Sequence, residues 1–144
     1  MVTRQATAIS VHWQRALRLH HLVEQALAQG LHRGHHLGLS EFRALDELAA
    51  TRGGAMRVQN LAVAIGLNQS SVSRLAARLE EAGLARRTTC ADDRRGVFTE
   101  LTAKGRVTHR QAKATYEKVL SKALDEAGTD DELSRLASAV REER

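Results

Sequence analysis

The side chains best suited to chemistry with a partner lie between Gln69 and Arg95, and they are hydroxyls, amides and guanidinium groups. Gln69, Ser70, Ser71, Ser73, Arg74 and Arg78 form one run, and Asp93, Arg94 and Arg95 another. Such groups hydrogen-bond to base edges, and guanidinium also pairs with phosphate. On a 3.6-residue period Val72, Leu75, Ala76 and Leu79 fall on one face, which must be buried. Ser70, Ser73, Arg74 and Ala77 then point outward, with Gln69, Ser71 and Arg78 on the flanks and no acid before Glu80. A narrow, acid-free edge of this kind can enter a groove between phosphates.

The run that positions this edge, Gln59 to Leu84, reads as two helices joined by a tight turn. The first is short and buries Leu61, Ala62 and Ile65. Gly66 supplies left-handed backbone where a Cβ has no room, Leu67 plugs the angle between the helices, and Asn68 caps the second. The spacing of Ala62, Gly66 and Val72 matches a DNA-binding helix-turn-helix, whose second helix lies in the major groove. Gly83 closes that helix. Next, Ala85 to Thr89 and Val97 to Leu101 read as strands around a polar tip, Cys90 to Gly96. A two-stranded hairpin in this place is a wing. It sets Arg86 and Arg87 on one strand and Arg94 and Arg95 at its end, where a narrow minor groove attracts cations. Asp93 suits a bidentate bond that holds a neighbouring guanidinium in place.

The rest of the chain reads as helices. From about Gln5 to Gln29 the residues Ile9, Trp13, Ala16, Leu17, Val23, Ala26 and Leu27 keep a helical period, and Gly30 is expected to end that helix. Leu31 to Leu39 is then a linker, and Ser40 caps a helix that buries Phe42, Leu45, Leu48 and Ala49. Thr51 to Gly54 is a turn and Ala55 to Arg57 is extended. A long helix runs from Thr102 to about Ala127. The Thr129 to Glu132 spacing predicts a capping box opening a last helix with Leu133, Leu136, Ala137 and Val140 on one side. Apolar stripes at both chain ends predict a homodimer with two reading helices about 34 Å apart. The expected organisation is one domain, 1–144. Residues 40–101 form the winged helix-turn-helix, and the helices of 1–30 and 102–144 form the interface. The fold class is mainly α with a small β-hairpin wing.

Composition narrows the partner. Lys+Arg number 22 against 17 Asp+Glu, a formal charge of +5, which suits a polyanion. Trp13, Phe42, Phe98 and Tyr116 are too few aromatics for the stacking platforms that hold single strands, so duplex DNA is the better match. A lone Cys90 makes no internal disulfide and suits a reducing compartment. No apolar run spans a bilayer and the first residues lack a secretory core, so a cytoplasmic protein without a membrane partner is expected. The complete absence of proline favours long helices. No nucleophile, base and acid share a recognisable spacing and no glycine-rich phosphate loop is present, so no enzyme activity is expected. His12, His20, His21, His32, His35, His36 and His109 fit no strong zinc pattern, and neither a metal nor a cofactor is expected.

The sequence resembles the MarR family of winged helix-turn-helix transcriptional regulators over nearly its whole length. The most specific part is DRRGVFTELTAKGR, Asp93 to Arg106, where Asp93, Arg95, Leu101 and Thr102 match the family's D-x-R-x-x-x-V-x-L-T pattern and Thr99 replaces the usual valine. The resemblance implies an obligate homodimer on a pseudo-palindromic operator, usually a repressor released by a small ligand or by oxidation. It implies that Gln69, Ser70, Ser71, Ser73 and Arg74 meet bases or phosphates, and that Arg95 enters the minor groove, oriented by Asp93. For an anionic aromatic effector, His12, Trp13, Arg15, His20 and Phe42 are the expected lining. The alternatives are a winged-helix module that binds protein and not DNA, or a metal- or redox-sensing member in which Cys90 or the histidines carry the signal. The acid-free edge from Gln69 to Arg78 speaks against the first.

Overall fold

Without proline to interrupt it, the first helix runs on through two glycines. In the computed structural model, which describes the backbone of residues 2–90 and 93–142 and the side chains of residues 7–89 and 96–142, α1 spans Val2–His35. The expected stop at Gly30 and linker from Leu31 are therefore corrected. A mid-helix glycine costs roughly 1 kcal/mol relative to alanine, but a Cβ at Gly30 would stand 2.8 Å from Val119 Cγ2. Gly30 thus serves close helix packing. The helix ends instead at His36, a left-handed residue (φ 53°), where Leu37 N–H donates to Leu31 O and His36 N–H to His32 O. An L-residue is strained there, so His36→Gly is expected to raise the unfolding midpoint in urea by an amount worth roughly 1 kcal/mol. An unchanged or lowered midpoint would mean that the strain is already relieved.

The remaining elements are α2 (Leu39–Ala50), β1 (Ala55–Arg57), α3 (Val58–Ile65), α4 (Gln69–Glu81), β2 (Ala85–Cys90), β3 (Asp93–Leu101), α5 (Ala103–Gly128) and α6 (Ser134–Arg141). Gly38, not Ser40, is the cap residue of α2. Its extended backbone lets the Glu41 carboxylate reach back to accept the Gly38 N–H at 3.4 Å. The wing is larger than a hairpin: β1 pairs with β3 through Ala55↔Glu100, Met56↔Thr99 and Arg57↔Phe98. The sheet is antiparallel in the order β1-β3-β2. The expected capping box before α6 does not form. Asp130 Oδ1 accepts the Glu132 N–H at 2.9 Å, Thr129 Oγ1 donates to Glu126 O, and the Glu132 carboxylate pairs with Arg18. The nearer acceptor and the opposite charge outcompete the box geometry.

Two compact units result, Leu31–Thr115 and Met1–Gly30 with Tyr116–Arg144. In the second, Leu19, Leu124, Ala127, Leu133 and Ala137 form a core flanked by Val23, Leu120 and Leu136. In the first, Phe42, Leu45, Leu48, Leu61, Val72, Leu75 and Leu79 are fully buried. Phe42 stacks on the buried His109, which lies 2.7 Å from Asp46 Oδ1. Among the described residues no helix is long and apolar enough to cross a membrane.

Candidate nucleic-acid interface

The turn before α4 forms as its residues require. Gly66 is left-handed (φ 70°, ψ 31°), but a Cβ there would meet nothing within 4 Å. The sign of φ, not lack of room, is what selects glycine. Leu67 does not plug the angle, since it remains exposed; its N–H closes the turn on Ala62 O. Asn68 caps α4 by accepting the Ser71 N–H at 2.8 Å, and it also accepts the Ser70 hydroxyl at 2.8 Å. Val72, Leu75, Ala76 and Leu79 are buried. Gln69, Ser70, Ser73 and Arg74 are exposed and Ser71 is half-buried.

Neighbouring side chains sort the cations. Arg78 Nε donates to Glu41 Oε1 at 3.4 Å, so this flank of α4 is tied to α2. Arg74 has no hydrogen-bond or ionic partner among the described residues and stands free for a ligand. On the wing, alternation separates two adjacent arginines. Arg86 crosses to its register partner Glu100, Nε to Oε2 2.9 Å. The bond raises the Arg86 pKa and holds the Glu100 carboxyl below its ordinary range. The expected minor-groove role of Arg86 is thereby weakened, because its charge is already matched. Arg57 lies over the Phe98 ring on the same face, 5.5 Å from its centroid. Arg87 pairs in register with buried Thr99 and shares the face of buried Ala85. Asp93, Arg94, Arg95 and Cys90 fall outside the residues whose side chains are described.

Sequence reasoning missed the contact that sets the wing against α4. Thr102 Oγ1 donates to Gly83 O at 2.6 Å and accepts the Gly105 N–H at 3.0 Å, while Thr102 N–H donates to Leu84 O. Lys104 Nζ donates to Ala82 O. The Leu-Thr of the wing pattern thus clips the end of α4 to the start of α5. The Thr-x-x-Gly spacing of Thr102 and Gly105 is the signal that could have found it.

The residues expected to line an effector site are distributed. His12 and Trp13 are exposed and Arg15 half-buried on α1. His20 borders an apolar groove of about 420 Å3 with Leu19, Val23, Leu120, Leu136 and Val140. Phe42 is 2% exposed and belongs to the core of the other unit, so its ring is engaged by His109. No group of three or more metal-ligating side chains occurs among the described residues.

Residues 35–96 match the MarR family model. A Streptomyces coelicolor MarR family transcriptional regulator, Sco3205, solved in complex with DNA, is 26% identical. It superposes with a TM-score of 0.75 over 90% of this chain and 81% of its own. AbsC, a MarR family regulator of the same organism, is 27% identical with a TM-score of 0.76, covering 97% of this chain and 90% of its own. A Mycobacterium tuberculosis MarR family protein, solved with salicylic acid, is 22% identical with a TM-score of 0.64, over 87% of this chain and 92% of its own.

Proposed function

We propose, from the match of residues 35–96 to the MarR family model and the likeness to the two Streptomyces regulators, that the chain is a MarR-type transcriptional regulator that works as a homodimeric repressor on a pseudo-palindromic duplex operator. The single observation that carries the reading is the outward edge of α4, where Gln69, Ser70, Ser73 and Arg74 are exposed and Arg74 has no partner among the described residues. Those groups read the major groove, and Arg94 and Arg95 take the minor groove, with Asp93 orienting Arg95.

Pairing of two copies is supported by apolar side chains that a single chain leaves in water: Ile9, Trp13 and Leu17 on α1 and Val140 on α6, each between 43% and 64% exposed. Residues 1–30 and 102–144 supply that interface and 40–101 the reading part. An anionic aromatic effector, bordered by His12, Trp13, Arg15 and His20, relieves repression. The salicylic acid bound to the mycobacterial relative supports this class of ligand. On this reading the protein works in the cytoplasm.

A gel shift on the DNA upstream of the chain's own gene, at two salt concentrations, tests the proposal. The expected result is a retarded band that weakens steeply as salt rises, because counterions released from phosphates are taken up again. A salt-independent shift, or none, would favour a protein-binding module.

A further inference from the structure

A helix in the major groove and a wing in the adjacent minor groove leave one strand of the duplex between them, and the structure contains the matching space. Two adjoining hollows, about 220 and 170 Å3, share Val58, Gln69 and Val97 and make one trough between α4 and the sheet. Ser73, Arg86 and Arg87 line it on one side of Gln69, and Gln59 and Arg57 on the other. Glu80 closes the Ser73 end. It sits eleven residues beyond Gln69, or about 16 Å along the helix, so the acid is remote from the Gln69 end.

We propose that this trough is a saddle for the sugar-phosphate backbone and that Arg87 is its phosphate clamp, a role distinct from base reading by α4 or minor-groove insertion by the wing tip. Three observations carry it. Arg87 is exposed and has no hydrogen-bond or ionic partner among the described residues. Strand alternation puts it on the sheet face of buried Ala85 and Thr99, the face that borders the trough with α4. Its neighbour Arg86, which also borders the hollow, is held in an ion pair with Glu100, so of these two adjacent arginines Arg87 is the one without a partner among the described residues. An extended polyanion fits an open, elongated trough whose polar lining, apart from the Glu80 carboxylate at one end, is amide, hydroxyl and guanidinium. A phosphate carries no sequence information, so the contact anchors the register and leaves base preference alone.

The inference rests on the DNA-binding reading, and the test separates the two. Dissociation constants of the full-length protein are measured at a series of salt concentrations on two probes, the upstream duplex and sonicated unrelated duplex DNA. The variants are Arg87→Gln, Arg87→Lys and Arg86→Ala, each checked for a wild-type unfolding midpoint. Arg87→Gln is expected to weaken both probes by a similar factor, on the order of tenfold at low salt. It should also flatten the log–log salt slope by about 0.9 for each phosphate lost. Arg87→Lys is expected to keep the slope, since a point charge suffices for phosphate, and Arg86→Ala to leave it unchanged. An unaltered slope in Arg87→Gln overturns the clamp, as does a loss confined to the upstream probe, failure of lysine to rescue, or an equal loss in Arg86→Ala. Absence of salt-dependent binding by the wild type overturns the DNA-binding reading, and the clamp with it.

Discussion

Arg74→Ala is expected to lower operator affinity by about 1–3 kcal/mol for each subunit engaged, up to the order of 100-fold per half-site. The reason is positional. Arg74 lies between Ser70 and Arg78 on the outward edge of α4, yet it is not tied to Glu41 as Arg78 is. Its guanidinium can therefore meet two acceptors on one base without breaking an internal bond. Truncation should also relax sequence preference at the contacted base pair, which loss of a phosphate contact does not. Competition binding against single-base-pair operator variants reads both effects. Unchanged affinity and preference would place α4 outside the major groove.

The second large effect concerns folding. Gly105→Ala is expected to destabilise the protein by about 2 kcal/mol, although alanine is the better helix former by about 1 kcal/mol. A Cβ at Gly105 would run into the Leu84 carbonyl oxygen and stand 2.9 Å from Leu84 C and 3.1 Å from Leu101 Cδ2. The carbonyl cannot swing aside, because it accepts the Thr102 N–H at 3.1 Å. Overpacking against fixed backbone, at the upper end of the usual range and so about 3 kcal/mol, outweighs the propensity gain. Urea unfolding followed by circular dichroism measures it, and a wild-type midpoint would show that α5 can recede. Because this clip joins the end of α4 to the start of α5, the folded fraction of the variant should also bind DNA less well.

Much of the reading unit was legible because its signals are local. A 3.6-residue apolar period marked the buried face of α4, Gly66 marked a left-handed turn and Asn68 a cap, and each depends on neighbours within a few positions. Errors arose where the deciding partner is distant in sequence. Gly30 looked like a stop until Val119 was brought beside it. Thr129 and Glu132 had the spacing of a capping box, but Arg18 drew the glutamate away. Ala55 to Arg57 read as a short extended run, and only β3 could make it a strand.

The same division holds for the interface. Residue order alone determined that an acid-free helical edge precedes an arginine-bearing hairpin, since periodicity and turn chemistry follow from bonded neighbours. Tertiary structure decided which of those cations remains available among the described residues: Glu41 takes Arg78, Glu100 takes Arg86, and Arg74 and Arg87 are left for a partner. Ion pairs form between groups that folding brings within a few ångströms, and no spacing along the chain encodes that distance.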